Sequence, residues 1–338
     1  MPLSLRDSNA LRSGAMRGPR SASISSWLAL VASALILSCK PAGSAVNLHR
    51  DVDSDPVALL PPGPALVASV DVRALFRVQA LVESATQVVR ALLPLDDSSG
   101  FDGSRDVDRL IVAQYRAPSA EGSCSIEYVV AAIGRLDPER LAAVRTTRDG
   151  LPIVSEHYAG FSLQSAGQVS YAALSRRLLL VGTRGGVRRA LDRTGARALD
   201  RVVKPWVADT IETSGAALSV AADFESAPIT TGAVGAIDLS WMGGLRIAHV
   251  TGNFQPPGMT LAATLSYADA GQATRGADGL RTLARWVKTV GPLIGDVHLQ
   301  DLQIASQDHD LHCTFVLDDS TLRTLGVVAL RLLPPPGP

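Results

Sequence analysis

The sequence predicts an α+β fold built mainly on antiparallel sheet. Short apolar runs rich in Val, Ile and Leu recur along the chain, bounded by Gly, Pro, Asp and Ser. These strand-like segments follow one another in groups, with single helical segments between the groups. Because parallel strands need a crossover between each pair, consecutive strands favour antiparallel pairing. A hydrophobic content of 46% with 19% charged residues excludes wholesale disorder.

In the first half of the chain, folded structure is expected to begin with a strand at residues 65–72. Apolar residues at helical spacing then predict one helix over residues 75–93, ended by Pro94. A loop rich in Gly, Asp and Ser follows at 97–106, and Asp137 with Pro138 marks the start of another helix. Further strands are predicted at 110–115, 128–133, 151–155, 161–164, 169–173 and 178–182, and a further helix at 186–193.

The second half repeats this pattern. Residues 217–224, Ala-Leu-Ser-Val-Ala-Ala-Asp-Phe, are similar to residues 65–72, and both segments are apolar strands with a late aspartate. We therefore predict two similar tandem halves, 65–200 and 201–333, followed by a Pro-rich tail at 334–338. The other elements predicted here are strands at 245–254, 259–267, 297–305 and 310–317, a helix at 277–290, and a last helix from Asp319-Ser320 to Leu333.

Residues 1–38 have the layout of a secretory signal peptide. Four arginines and one aspartate lie in residues 1–26, and an uncharged apolar run extends from Trp27 to Ser38. A membrane-spanning helix needs about 20 apolar residues. Because Lys40 and Pro41 close this run early, a cleaved signal is favoured over a transmembrane anchor.

The segment Ile36-Leu37-Ser38-Cys39 resembles the lipobox of bacterial lipoprotein precursors. The resemblance implies that Cys39 carries a diacylglyceryl thioether, that cleavage falls between Ser38 and Cys39, and that the new amino terminus receives a fatty acyl chain such as palmitate. Each buried methylene contributes about 0.8 kcal/mol, so several chains on one cysteine form a firm membrane anchor. Plain secretion is the alternative. Lys40, in place of the aspartate that retains lipoproteins in the inner membrane, implies the periplasmic face of the outer membrane.

Residues 39–64 are rich in Pro and Asp and are expected to form a flexible linker behind the lipidated cysteine. Beyond this linker, the body resembles uncharacterised envelope lipoproteins of delta-proteobacterial type. The resemblance rests on three short stretches, Ser69 to Val72, Phe101 to Leu110 and Leu180 to Gly182. It implies no activity and no cofactor.

The charge of the chain argues against binding to nucleic acid. The full sequence holds 32 basic and 32 acidic residues, and removing the four arginines and one aspartate of the leader leaves 28 and 31, a net charge of −3. Nucleic-acid binding depends on a dense positive surface. Aromatic residues are only 4% of the chain, which also disfavours sites built on aromatic faces, such as carbohydrate grooves.

Two cysteines remain when Cys39 is taken by lipid. Cys124 and Cys313 both flank strand-like runs, and in an oxidising compartment they could form a disulfide. On the chain-entropy model, a loop of that length would stabilise the fold by about 4–5 kcal/mol. The alternative is two buried thiols that act as small apolar residues.

No catalytic, cofactor-binding or metal-binding residues are predicted. Residues 182–186, Gly-Thr-Arg-Gly-Gly, stand where a phosphate loop would stand, but they lack the Gly-Lys-Ser/Thr and Gly-x-Gly-x-x-Gly patterns and are expected to form a tight turn. In His309-x-x-His312-Cys313, the strand alternation would place His312 on the face opposite the other two. The remaining candidates for chemistry are Glu127 and Asp223 beside apolar strands, His157, His249 and His298, and the pairs Asp96-Asp97 and Asp318-Asp319, which fit turn and cap roles.

The sequence therefore favours a membrane-anchored envelope lipoprotein that is not an enzyme and that binds or scaffolds another envelope component. An alternative is a carrier of lipid or other apolar cargo in the periplasm, because the chain has many Leu, Val and Ala residues in its strands. A third hypothesis is a hydrolase whose site is assembled from distant parts of the chain. The expected partners are the membrane, through the lipid anchor, and either an envelope protein or a lipid, but no nucleic acid.

Overall fold

The fold class predicted from the sequence is confirmed. The computed structural model describes residues 52–92, 95, 99–118, 124–195, 199–227, 233–234, 237–255, 258–294 and 297–324. Within these ranges, twelve strands form one antiparallel sheet, and two short strands pair separately. The strands are β1 (Leu66–Asp71), β2 (Val107–Pro118), β3 (Cys124–Gly134), β4 (Val154–Tyr158), β5 (Phe161–Ala166), β6 (Val169–Ala173), β7 (Leu178–Thr183), β8 (Leu218–Asp223), β9 (Ala233–Val234), β10 (Ile237–Asp238), β11 (Leu245–Gln255), β12 (Gly258–Tyr267), β13 (Leu299–Gln307) and β14 (Asp310–Asp318).

Helices lie before, between and after the groups of strands. Short 3₁₀ turns occur at Pro56–Leu59 and Ser240–Met242, and residues 319–324 are helical. The helices with described ends are α1 (Val72–Arg77), α2 (Val82–Leu92), α3 (Gly103–Asp106), α4 (Pro138–Ala143), α5 (Arg184–Thr194), α6 (Pro205–Ile211) and α7 (Ala270–Ile294).

The order of the strands repeats about the pair β1–β8. The sheet runs β13-β14-β12-β11-β8-β1-β2-β3-β7-β6-β5-β4. Moving outward from β1, the order is a hairpin (β2–β3), then β7 and β6; moving outward from β8, it is a hairpin (β11–β12), then β14 and β13. The hairpin β4–β5 extends the first side. The two segments whose sequences are alike, β1 and β8, are therefore direct antiparallel neighbours, with Ser69 opposite Ser219.

The sheet has two faces, and each carries its own helices. On the face that we call the α5 face, Ile111 and Ala113 of β2 pack with α5 and α6 in one buried core. On the opposite side, the α7 face, Leu110 and Val112 of the same strand pack in a second core with α1 and α4. Farther along this face, α7 covers β12, β13 and β14. The two faces follow from the two-residue alternation of the strands.

The expected linker is wrong for residues 52–64, because this stretch is packed into the body. Val57, Leu59 and Leu60 are each no more than 1% exposed and belong to the core under α5 and α6. Polar contacts hold the same segment in place: Asp53 accepts a hydrogen bond from the Ser175 hydroxyl, and Asp55 pairs with Arg201. The Pro-rich composition that suggested a linker instead supports a 3₁₀ turn beginning at Pro56.

The single helix predicted over residues 75–93 is also wrong, since two helices, α1 and α2, occupy this region. The chain turns between them at Val78, whose backbone is extended. Phe76 packs into the core with α4, whereas Leu81 packs against β12 and β14. Burying side chains in two different places outweighs the continuous helical pattern.

Other differences are smaller. The loop predicted at 97–106 contains the four-residue helix α3, and α6 was not among the predicted helices. The predicted helices at 186–193 and 277–290 lie inside the longer α5 and α7. The last predicted helix is described only to residue 324, so its expected end at Leu333 and the tail at 334–338 lie outside the described residues.

Candidate functional site

A row of small apolar side chains crosses the middle of the α7 face. Val112 of β2 lies opposite Ala68 of β1, which in turn lies opposite Val220 of β8. Val220 lies opposite Val250 of β11, and Val250 lies opposite Ala263 of β12. The row therefore crosses five neighbouring strands at right angles, a distance of about 19 Å at the usual strand spacing.

Every side chain of this row is only half-buried, although the row continues into buried core at both ends. Beyond Val112, the next position is Val130, which is 1% exposed; beyond Ala263, it is Cys313, which is 5% exposed. The exposed apolar surface is thus confined to the centre of the face.

Two flanking rows complete what we call the central strip, defined by these three rows; four of the flanking residues, Gly252, Leu261, Ala222 and Ala248, are buried. With one exception, Gln114, the flanking positions also hold apolar side chains or glycine. The flanking rows are Leu110, Val70, Leu218, Gly252 and Leu261 on one side, and Gln114, Leu66, Ala222, Ala248 and Leu265 on the other.

Helical segments form two walls beside the strip. On one side, Leu75, Val78 and Leu81, at the junction of α1 and α2, pack toward Leu218 and Val250. On the other side, α7 lies over β12, β13 and β14, with its small residues against the sheet. Val and Ala in the central row project less than the Leu and Phe residues of the surrounding cores, so the arrangement is a partly exposed apolar band between two groups of helices.

The histidine predicted as a candidate for catalysis lies on the other face. His249 of β11 contacts Thr210 of α6, with 2.5 Å between Nδ1 and Oγ1, and its ring lies against Trp206, with 4.9 Å between ring centroids. Burial lowers the pKa of His249, and the more distant Asp310 opposes this only in part. The imidazole is therefore neutral near pH 7 and serves as a packing contact between α6 and the sheet.

The two carboxylates singled out beside apolar strands are held in ion pairs. Glu127 pairs with Arg189 of α5, and Asp223 lies 2.7 Å from the Lys204 ammonium. Burial alone would raise the pKa of Asp223, but Lys204 together with the hydroxyl and amide of Ser226 more than offsets this effect, and the pKa is lowered. A carboxylate that stays ionised is unsuited to donate a proton as a general acid.

The glycine-rich segment at 182–186 forms the turn between β7 and α5, as predicted. Thr183 caps the helix by accepting a hydrogen bond from the Gly186 amide. A Cβ on Gly182 or Gly186 would lie 2.2 or 2.4 Å from the carbonyl oxygen of Tyr128. The glycines are needed because β3 approaches the turn closely.

The histidines near the C-terminus do not converge with Cys313. His309 lies in the turn before β14, His312 is exposed, and Cys313 is buried between α7 and the sheet, as strand alternation predicted. Nowhere in the described parts of the chain do three or more His, Cys, Asp or Glu side chains form a group that could hold a metal ion.

The structure does not bring Cys124 and Cys313 together. Cys313 is a free, buried thiol. Cys124 begins β3, and five strands separate β3 from β14 in the sheet, or about 29 Å along it. A disulfide requires Cα atoms within about 7 Å. The bridge considered from the sequence is not formed, and Cys313 fits the alternative of a buried thiol.

The remaining predicted residues take local roles or cannot be placed. Asp318 caps the helical residues 319–324 by accepting from the Thr321 amide, and His157 is exposed on edge strand β4. The His298 backbone exchanges two hydrogen bonds with the Thr321 hydroxyl. Cys39 and the pair Asp96-Asp97 lie outside the described residues.

Surface cavities occur away from the strip. One, of about 630 Å³, is open to solvent and lies among turns, lined by Asp53, Gly160 and Arg176 among others. Another, of about 220 Å³, is lined by Arg105, Arg135 and Arg140. Because Asp106 and Asp137 pair with Arg105 and Arg140, this second cavity is close to neutral.

The central strip was not among the sites predicted from the sequence. The apolar alternation of each strand was visible, but a single strand does not show which strands become its neighbours. The strip exists because β1 and β8 meet at the centre of the sheet. The similarity of residues 65–72 and 217–224 is the sequence signal that could have predicted the strip. It would have done so if the two segments had been interpreted as neighbouring strands.

None of the described helices combines the length and the apolar character needed to cross a membrane.

No protein-family model matches this chain, and no curated protein matches it. Among solved structures, it is similar to crystal forms I, IV and III of TP0453 from Treponema pallidum, with TM-scores of 0.47, 0.48 and 0.45 and identities of 10%, 9% and 10%. The matches cover 82%, 81% and 82% of this chain and 97%, 96% and 98% of TP0453. At TM-scores below 0.5, this likeness supports no statement about function.

Proposed function

We propose that this chain is a lipid-anchored, non-enzymatic binding protein of the cell envelope and that its ligand is an apolar chain, such as the acyl chain of a lipid. The observation that carries the proposal is the central strip, where half-buried Val and Ala side chains form a partly exposed apolar row across five strands. Contiguous exposed apolar surface on a folded protein commonly marks a binding site.

The shape and chemistry of the strip favour an extended apolar ligand over a compact polar one. The central row is long in one direction, its side chains are small, and helices lie on both sides of the strip. Each methylene removed from water contributes about 0.8 kcal/mol. Ten methylenes would therefore contribute roughly 8 kcal/mol before the cost of ordering the ligand, which is on the scale of micromolar binding or weaker.

The non-enzymatic part of the proposal rests on how the polar candidates are used. His249 and Glu127 belong to contacts with helices of the α5 face, on the opposite side of the sheet from the strip. Gln114 is the polar side chain of the strip, and an amide alone offers neither a nucleophile nor a titrating group near pH 7. The anchor is proposed to be lipidated Cys39, at the periplasmic face of the outer membrane.

Two matched substitutions on one strand test the apolar site. Ala263 lies on the strip, and its neighbour Ala262 is exposed on the opposite face of β12. We expect Ala263→Asp to weaken binding of a fluorescent fatty acid at least tenfold and Ala262→Asp to leave it unchanged.

Val250→Thr, which preserves volume, is a milder variant that should also weaken binding, with Thr251→Val as its control. Equal binding by all four variants would exclude the strip as the site.

A second candidate function is docking of another envelope protein, and a separate surface favours it. On the α5 face of β12, β13 and β14, the side chains between the two aspartates at the ends of β14 are uncharged near pH 7 and mostly exposed, and include Ala262, Thr314, Gln303 and Ala305. Small uncharged side chains lose little entropy and need little desolvation when a partner covers them. A photo-crosslinking residue at Thr314 should capture one discrete envelope protein in cells if this docking occurs, and none if it does not.

A further inference from the structure

Helix α7, beside the central strip, carries more basic than acidic side chains. Helix α7 carries Arg275, Arg281, Arg285 and Lys288 but only one acidic residue, Asp278, whereas the whole chain has equal numbers of basic and acidic residues. All five of these side chains are exposed. The aspartate that precedes the helix, Asp269, caps it by accepting from the Gln272 amide.

The charges lie on the side of α7 that faces away from the sheet. The opposite side packs on the sheet through Ala273, Ala277 and Leu280. At 100° per residue, the basic residues fall on the outward half of the helix, with Asp278 between them and paired with Arg281 at 2.8 Å. The outward surface therefore keeps a net charge of about +3.

Trp286 lies on the boundary between the two sides of the helix and is half-buried. Tryptophan at the border of an apolar and a basic face is typical of helices that lie at the surface of a membrane. Exposed Arg77 and Arg90, on the helices that form the other wall of the strip, outnumber the exposed Glu83 of the same helices and leave a small positive charge there.

We propose that the outward surface of α7 binds the anionic headgroups of the bilayer in which the chain is anchored, so that the central strip opens toward the lipid. The inference rests on the proposed lipid anchor and deepens the proposed apolar binding. The partner is identified by charge complementarity, because a cationic helix surface on a chain whose net charge after cleavage is −3 matches an anionic lipid surface. Each basic residue near such a surface contributes about fivefold to membrane partition.

This orientation gives the apolar ligand a short path. Because α7 lies next to the strip, a body that rests on α7 places the strip close to the headgroups. A lipid tail could then pass between bilayer and strip without exposing its methylenes to water, which is unfavourable.

The test uses the native lipidated chain in vesicles of phosphatidylcholine alone or mixed with phosphatidylglycerol. An environment-sensitive fluorophore is placed on α7 through Thr289→Cys, in a Cys124→Ser background, because Cys313 is buried. The matched control places the same label on the α5 face through Thr314→Cys. We expect the emission of the label at 289 to rise severalfold on anionic vesicles and not on neutral ones. High salt should abolish this rise, and so should the double substitution Arg281→Glu with Lys288→Glu. Arg176→Glu with Arg177→Glu, a basic pair in the β6–β7 turn, should not change the signal.

The outcomes separate the two proposals. If the chain fails to enter either kind of vesicle, the anchor is wrong. If it enters both and the label at 289 reports no difference between them, docking by α7 is wrong while apolar binding stands on its own test. A rise for the label at 314 would place a different surface on the membrane and also overturn the proposal. If α7 captured an acidic protein and the label at 289 showed no change on anionic vesicles, the proposal would also be overturned.

Discussion

Asp53 accepts a hydrogen bond of 2.5 Å from the hydroxyl of Ser175, which ties the beginning of the described chain to a turn 122 residues later. The apolar residues that follow Asp53 fill the core under α5 and α6. The segment is therefore a structural part of the body, and the chain between Cys39 and Val52 is only twelve residues long. Twelve residues span at most about 43 Å even when fully extended.

Leu59→Ala tests the structural role of this segment. Leu59 is completely buried, so its truncation should lower the free energy of unfolding by about 2–5 kcal/mol through lost burial and a cavity. Urea denaturation followed by circular dichroism measures the change. Pro62→Ala, at an exposed position of the same segment, should change stability by less than about 0.5 kcal/mol. Equal stability of the two variants would restore the linker interpretation.

Gly186→Ala tests the close approach of β3 to the β7–α5 turn. The added methyl group would lie 2.4 Å from the Tyr128 carbonyl oxygen, so backbone must shift, and we expect a loss of about 1–3 kcal/mol. Gly195→Ala at the other end of α5 is the control, because its Cβ would meet only an ordinary contact at 3.5 Å and its φ is −77°. Thermal unfolding should show a lower Tm for the first variant and little change for the second.

Asp223→Asn tests the buried ion pair with Lys204. Loss of the charged hydrogen bonds to Lys204 and Ser226 should lower the free energy of unfolding by about 1–3 kcal/mol at pH 7. Asp209→Asn, at an exposed position of α6, is the control.

The same aspartate predicts a pH dependence. The pKa of Asp223 is lowered in the folded state, so its stabilisation is present above the unfolded pKa, about 4, and is lost as the pH falls through the lower folded value. Stability measured below pH 4 should fall less steeply for Asp223→Asn than for the parent chain. Parallel curves would show that Asp223 does not contribute to acid unfolding.

Cys313 is expected to remain a thiol in protein isolated from the envelope. Alkylation should modify it only after unfolding, because it is 5% exposed and burial raises its pKa. Mass spectrometry of digests without reductant is the measurement. A linked peptide that contains both Cys124 and Cys313 would contradict the strand order described above.

Cys39→Ala tests the anchor. If the lipid on Cys39 is the firm attachment, the variant should be recovered in the soluble fraction of the envelope after a high-salt wash, whereas the parent chain should stay with the membranes. The salt wash matters because α7 would still bind anionic lipid weakly at low salt. A variant that stays with the membranes at high salt would show that another segment holds the chain there.

The sequence was sufficient for features that depend on local pattern. Alternation correctly placed His312 and Cys313 on opposite faces of β14, and the cap at Asp137 correctly started α4. It failed where distant contacts decide the outcome. The break between α1 and α2 depends on Phe76 and Leu81 burying in different cores, and the packing of residues 52–60 depends on α5. The central strip depends on strand order, which no single segment encodes.

The pairing of β1 with β8 also bears on what the two halves could do apart. Each of these strands is fully paired on both sides only because the other half is present. A fragment that ended after residue 200 would leave the whole edge of β1 unpaired at the margin of a broad sheet, which is a template for pairing with another chain. Because β1 already pairs with a similar antiparallel strand, two such fragments could join edge to edge through β1. Cleavage of the protein between its halves would therefore produce aggregation-prone pieces rather than independent modules.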